Sequence, residues 1–165
     1  MGFRLRDFSA HDTAEVNALA VSAFAQYRED YADWPAFRTR IADMAALADA
    51  GELIVAEDDA GSLVGAVAYI GPHQPKSDIF APEWPIMRML VVSPAARGLG
   101  VGRALALECL ARAERDQAAV FALHTSEIMA VALPMYRRMG FNFLREAPAI
   151  HGVPYGIYIK VLGER

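Results

Sequence analysis

Polar and apolar positions change their period several times along the chain, and each change marks an element. Phe3, Leu5 and Phe8 alternate loosely with Arg4, Arg6 and Asp7, the pattern of a short strand. Val16, Leu19, Ala20 and Ala23 then recur at helical spacing, which predicts a helix capped by Ser9 or Asp12 and running to about Ala25. A second helix is expected from about Pro35, a residue suited to the first helical turn, to Ala50, with Gly51 as its stop. Leu53–Ala56 and Leu63–Ile70 are runs of strand type joined by the turn Asp58-Asp59-Ala60-Gly61. A loop carrying Pro72, Pro75, Pro82 and Pro85 leads into a strand over about Ile86–Val92. The next helix spans about Val101 to Arg115, with Ala106, Cys109, Leu110 and Ala113 on one face. Val120–His124 reads as a strand, a short helix ends at Gly140, and Phe141–Arg145 and Tyr155–Val161 close the chain as strands. Pro134 fits the short helix only if that helix starts late, near Val131. The order β-α-α-β-β-β-α-β-α-β-β, without repeat, linker or low-complexity segment, predicts one mixed α/β domain over residues 1–165. Its helices flank a central, largely antiparallel sheet.

One junction in this order carries chemistry. The strand ending at Val91-Val92 breaks at Ser93-Pro94 and passes into Arg97-Gly98-Leu99-Gly100-Val101-Gly102-Arg103, then into the helix. Glycines leave backbone N–H groups bare and can take the positive φ values that aim successive N–H groups inward. Backed by a helix N-terminus, such a loop is a seat for phosphate oxygens, and Arg97 and Arg103 can add charge-assisted hydrogen bonds. A phosphorylated cofactor is expected here.

Bulk composition narrows the classes. A chain of 165 residues with 55% hydrophobic residues can build a real core, and 22% charged residues is near the globular norm. A net charge of −4 argues against general nucleic-acid binding, which needs a broad basic surface. Cys109 is the only cysteine, so an internal disulfide is excluded and a reducing cytoplasm is the expected compartment. No apolar segment approaches a membrane span, and the first residues lack an apolar signal core.

Arg97-x-x-Gly100-x-Gly102 after a Val-Val-Ser-Pro strand end resembles motif A of the GCN5-related N-acetyltransferases (GNAT). Downstream, Ala132-x-x-x-Tyr136-x-x-x-Gly140-Phe141 resembles their second signature. The likeness extends to the element order and so spans nearly the whole chain. It implies a GNAT-like fold and acetyl-CoA as cosubstrate, whose pyrophosphate would sit on the loop of Arg97, Gly98, Leu99, Gly100, Val101, Gly102 and Arg103. It implies that the backbone of Leu90, Val91 and Val92 pairs with the pantetheine arm and the acetyl carbonyl, like a peptide adding to a sheet edge. Ala132 and Tyr136 would lie near the sulfur, with Tyr136 as the general acid toward the departing thiolate. The implied activity is direct transfer of an acetyl group to a primary amine of a small molecule or peptide. A homodimer is expected by analogy.

The residues keep other readings beside this one. A dinucleotide fold would share Gly98-x-Gly100-x-Gly102, but Arg103 stands where its third glycine is needed, and several strands precede the loop. A CoA-binding sensor without catalysis is the competing class: Met87, Arg88 and Met89 occupy strand positions where some relatives carry a basic catalyst, and Met129 stands where many have asparagine. The general base is left open among Glu83, His124, Glu127, a water chain and a backbone carbonyl. By spacing alone, Met129, Ala132, Leu133 and Tyr136 also fit an ordinary core face. His11, His73, His124 and His151 show no metal spacing, so no metal is expected. Two segments are candidates for the acceptor pocket. Gln26–Trp34 mixes aromatic and acidic residues suited to a cationic amine, and Gly71–Pro85 is stiffened by its prolines.

Overall fold

The structure is a computed structural model that describes residues 2–163; positions 1, 164 and 165 of the expected domain lie outside the described residues. The strands are β1 (Phe3–Asp7), β2 (Glu52–Asp58), β3 (Leu63–Ile70), β4 (Ile86–Val92), β5 (Val120–Thr125), β6 (Asn142–Ile150) and β7 (Val153–Val161). The helices are α1 (Thr13–Phe24), α2 (Trp34–Ile41), α3 (Val101–Arg115) and α4 (Ala132–Arg138). One seven-stranded sheet runs β1-β2-β3-β4-β5-β7-β6. Every neighbouring pair is antiparallel except β4 and β5. The expected mixed, largely antiparallel sheet and the expected order of elements are both present.

Both faces of the sheet are covered. Ile54, Ala56, Val67 and Tyr69 pack with Val101, Leu105, Ala106, Cys109 and Ala113 of α3 and with Leu133 and Tyr136 of α4. The alternate residues Leu53, Val55, Ala66 and Ala68 face Val16, Leu19, Ala20 and Ala23 of α1. The period-two alternation of strand side chains therefore serves two cores, and all eight residues of β3 are buried.

Helix ends follow the local chemistry. Asp12 accepts from the Ser9 backbone N–H at 2.9 Å and takes a bidentate pair from Arg6 at 2.8 and 2.9 Å, which locks β1 to the start of α1. Asp33 accepts from the Ala36 N–H at 3.1 Å and caps α2. The second helix is shorter than its periodicity predicts. It ends at Ile41 and resumes as a 3-10 segment, Met44–Asp49. The cause is tertiary: the Ala45 N–H donates to Asn17 Oδ1 of α1 at 2.8 Å rather than to a carbonyl one turn back. Pro134 falls in the first turn of α4, where its missing N–H would have had no helical partner. At the other end of α4, Gly140 takes φ +96° while the Phe141 N–H closes on the Tyr136 carbonyl at 3.1 Å. β6 extends to Ile150, past the expected Arg145, and turns through His151 and Gly152, both at positive φ. Among the described residues no helix is long and apolar enough to cross a membrane.

Candidate active site

The site begins where the sheet comes apart. β4 and β5 are in register only at Ile86 and Ala122, so the rest of β4 has no strand partner on that side. β4 is also bulged. Ala66 and Ala68 of β3 stand opposite Val91 and Arg88, so three steps on β4 match two on β3. The extra residue is absorbed at Met89, which adopts φ +58°, a left-handed value rare outside glycine. Bulge and splay together re-aim the backbone of Leu90–Val92 away from the ladder and toward the gap.

A groove of about 400 Å³ lies along that edge. Leu90, Val91 and Val92 form one side, Arg97, Gly98 and Gly100 the end, and Val101, Gly102 and Arg103 of α3 the floor. Gly98 and Gly100 take φ +79° and +85°, and a Cβ built on either would meet no atom within 4 Å. The loop is therefore open, as a phosphate seat requires. Gly102 differs: it lies inside α3, and an added Cβ would stand 3.4 Å from Val92 Cγ2, so its smallness keeps the floor low. Leu99 turns its side chain outward, 44% exposed, and does not line the groove. Arg97 is steadied by one bond, Nη2 to the Ala23 carbonyl at 3.3 Å. Phe24, Gln26 and Tyr27, at the end of α1 and just beyond it, complete the wall beside Arg97. Gln26 and Tyr27, expected from the sequence near the acceptor, thus line this groove.

Phe24, Leu90, Met129 and Ala132 are walls shared between this groove and an inner cavity of about 130 Å³, which Tyr136 lines. Tyr136 is 6% exposed and its ring packs edge-on to Phe141 at 6.0 Å. Burial pushes its phenol well above the ordinary range, so it holds its proton. Among the described residues its hydroxyl makes no hydrogen bond, and no buried side-chain oxygen or nitrogen lacks a partner; the hydroxyl therefore opens onto the cavity.

Arg40, Leu47, Arg88, His124 and Ile150 are in turn shared between the inner cavity and an outer vestibule of about 300 Å³. Pro75, Lys76, Ser77, Ile79 and Phe80 of the proline-rich loop form the vestibule's far wall. Lys76 holds that loop together, its Nζ donating to the carbonyls of Gly71, Gln74 and Pro82. His124 lies between the rings of Phe80 and Tyr155, at 5.8 and 5.3 Å. Burial first, then the charges of Arg88 and Arg40, push its pKa down to about 4, so it is a neutral imidazole at pH 7. Tyr155 is fixed by a 2.6 Å hydrogen bond to Tyr31, whose ring stacks on Phe37 at 3.9 Å.

The sequence candidates divide accordingly. Leu90–Val92, Arg97, Gly98, Gly100–Arg103 and Ala132 converge on the groove, with Tyr136 at its inner end. Glu83 is exposed in the loop ahead of β4 and lines none of the three spaces; Glu127 is exposed as well. The acidic residues of 26–34 do not reach the cavities either: Asp33 is used as a helix cap, and Glu29 and Asp30 are exposed. Arg40 and Arg88 were not singled out as binding groups, because nothing in their local sequence shows that α2 and β4 bring them together. Cys109 is fully buried with its thiol pushed up by burial, an inert core group.

The chain is similar to known proteins in family and in fold. The model of the acetyltransferase (GNAT) family matches residues 14–141. No curated protein matches the chain. Among solved structures, PH1933 from Pyrococcus horikoshii superposes with a TM-score of 0.78 at 15% identity, covering 99% of this chain and 100% of that one. A Corynebacterium glutamicum protein described as histone acetyltransferase HPA2 and related acetyltransferase gives 0.74 at 24% identity, over 100% and 99%. A GCN5-related N-acetyltransferase from Rhodopseudomonas palustris gives 0.73 at 21%, over 98% and 97%. At these identities the structures speak for the fold alone, but the family match spans most of the sequence, and the chain belongs to the GNAT acetyltransferase family.

Proposed function

We propose that the protein transfers an acetyl group from acetyl-CoA to a primary amine of a small molecule. The observation that carries this reading is a continuous arrangement. The open Gly98–Gly100 loop leads into a groove along the unpaired edge of β4, and the groove shares four wall residues with the cavity lined by Tyr136.

Acetyl-CoA would supply the electrophile, a thioester carbonyl, and leave as a thiol. The chain's own groups would do the rest. Backbone N–H groups of Gly98–Arg103 and the Arg97 and Arg103 guanidiniums hold phosphate oxygens. The backbone of Leu90–Val92 pairs with the pantetheine amides, and its N–H groups stabilise negative charge on the carbonyl oxygen as the amine adds. The amine nitrogen forms a bond to the carbonyl carbon, the carbon–sulfur bond breaks, and Tyr136 gives its proton to the departing sulfur. The amine's proton passes to a proton acceptor, and exchange with solvent after the thiol leaves returns a proton to the Tyr136 phenol, so amine and thioester yield amide and thiol. Of the three side chains weighed as proton acceptor, His124 is the one on the cavity wall, and its neutral imidazole has a lone pair free for the task at pH 7.

The test is thermal unfolding with and without acetyl-CoA, followed by thiol release over a panel of amines. A ligand confined to the native state adds about 2.7 kcal/mol at 100 times its dissociation constant, a readily measured rise in midpoint. No rise at saturating acetyl-CoA overturns the reading. A rise with no thiol release from any amine converts it to the non-catalytic CoA-binding sensor.

A further inference from the structure

Among the described residues three arginines are partly buried: Arg6, Arg88 and Arg112. Two are treated as buried cations must be. Arg6 is held by Asp12 and Glu57, and Arg112 by Asp7, Glu52 and Glu108. Arg88 breaks the rule. It lies on a central strand, burial works against its charge, and among the described residues it makes neither an ion pair nor a side-chain hydrogen bond. After burial, the charge that acts on it is unfavourable, a second guanidinium, that of the solvent-exposed Arg40 of α2. Arg40 is likewise without a partner among the described residues, and both line the inner cavity and the vestibule. No Asp or Glu lines the vestibule, although the chain as a whole carries a net charge of −4. The inner cavity touches a single carboxylate, that of the exposed Asp43 at its rim.

Leaving a half-buried cation such as Arg88 unpaired is costly, the solvent-exposed Arg40 adds a second positive charge to the same lining, and such a cost is normally met by an opposite charge. Here the protein withholds one while furnishing it twice over elsewhere. The space open to the missing anion is the same space that leads to Tyr136. On the reading that the site acetylates amines, we infer that the acceptor is a small zwitterion: an amine that also carries an oxyanion, carboxylate or phosphonate, which Arg88 and Arg40 grip while the amine points inward. An amino-acid-like molecule has this chemistry. The pairing adds a consequence for the proton acceptor. The groups around His124 are Arg88 from β4, Arg40 from α2, Lys76 from the proline-rich loop and Tyr155 from β7. Burial is the larger cause of the depressed imidazole; an oxyanion seated on the two arginines offsets only the part their charges add, and to that extent raises the basicity of the group facing the amine.

The experiment compares isosteric acceptors: a set of α-amino acids, their carboxamides and their aminophosphonate analogues. Thiol release from acetyl-CoA is followed with the wild type, Arg88→Gln and Arg40→Gln. Direct binding of each compound to the CoA-loaded and to the free protein is measured by calorimetry. Acetyl-CoA-dependent thermal stabilisation serves as the control for folding and cofactor binding. The expected result is at least a tenfold preference in kcat/KM, and in binding, for an acid over its carboxamide. That preference falls toward unity in either variant while the acetyl-CoA stabilisation persists. Carboxylates favoured over phosphonates, or the reverse, identify which oxyanion the arginines fit. Carboxamides accepted as well as acids, or a preference undiminished in both variants, overturn the inference. If acetyl-CoA does not bind, the transferase reading fails; acid-selective binding to the free protein, lost in Arg40→Gln, then still upholds the anion site, and its absence refutes it.

Discussion

Tyr136 shows how much one buried atom can be asked to do. Its ring is core, packed against Phe141, while its hydroxyl is the part that opens to the cavity. Replacement by phenylalanine keeps the ring and removes the proposed proton donor. Tyr136→Phe is therefore expected to fold normally and to bind acetyl-CoA within about twofold of the wild type, with kcat reduced by about a hundredfold, the lower part of the range for loss of a general acid. Steady-state kinetics with a titration of acetyl-CoA binding checks this, and an unchanged kcat removes the phenol from the mechanism. At this scale the glycine-loop side of the candidate site was legible in the sequence. A glycine loop must be contiguous to cradle phosphate, so Arg97, Gly98, Gly100 and Gly102 stand together and can be read together. The acceptor side was not legible. Arg40 and Arg88 are 48 residues apart by their numbering and come to line one cavity only through the tertiary fold.

Elements were legible where their own side chains decide them, and illegible where a neighbour does. α1 and α3 bury the faces their periodicity predicts, because each packs one apolar stripe on a sheet face. The break after Ile41 depends on Asn17, a residue of another helix, and the bulge at Met89 depends on how β4 leaves β5; neither leaves a local mark. β6 runs past Arg145 and through Pro148, which it tolerates because β6 is the edge strand, where a missing N–H costs little. The approach of α3 to the sheet yields a prediction. Gly65 on β3 has no room for a side chain: a Cβ there would lie 2.6 Å from Val101 Cγ1, 2.9 Å from Leu105 Cδ1 and 3.2 Å from the Val91 carbonyl. Gly65→Ala must push back the first turn of α3, the turn that carries Val101, Gly102 and Arg103. A loss of about 1–3 kcal/mol in urea unfolding is expected, the usual cost of overpacking, together with weaker acetyl-CoA binding. Undiminished affinity in the folded variant would mean that the seat does not depend on how closely α3 sits on the sheet.

Across the whole molecule the charges fall into two regimes with opposite relations to their surroundings. At the end of the sheet held by β1 and β2, carboxylates are tied to arginines: Asp12 is held down to about 2 first by its bonds to Arg6, and Glu52, Glu57 and Asp116 are lowered by arginine partners. At the open end, His124 is pushed down to about 4 by burial and by Arg88 and Arg40. Both regimes make the native state bind fewer protons than the unfolded chain, so stability falls toward acid, in separate windows. The unfolded imidazole titrates near 6.5, so the His124 contribution is complete above that pH and is lost as pH falls from about 6.5 to about 4. The unfolded Asp12 carboxyl titrates near 3.8, and its contribution is complete above that pH and is lost as pH falls toward about 2. Urea midpoints measured from pH 8 to pH 3 should therefore decline in two stages. His124→Gln should flatten the stage between about 6.5 and 4 while the steeper decline below it persists; Asp12→Asn should be less stable at neutral pH and lose less in strong acid. A first stage that survives in His124→Gln would show that another group titrates in that window and that burial of a neutral His124 does not set it.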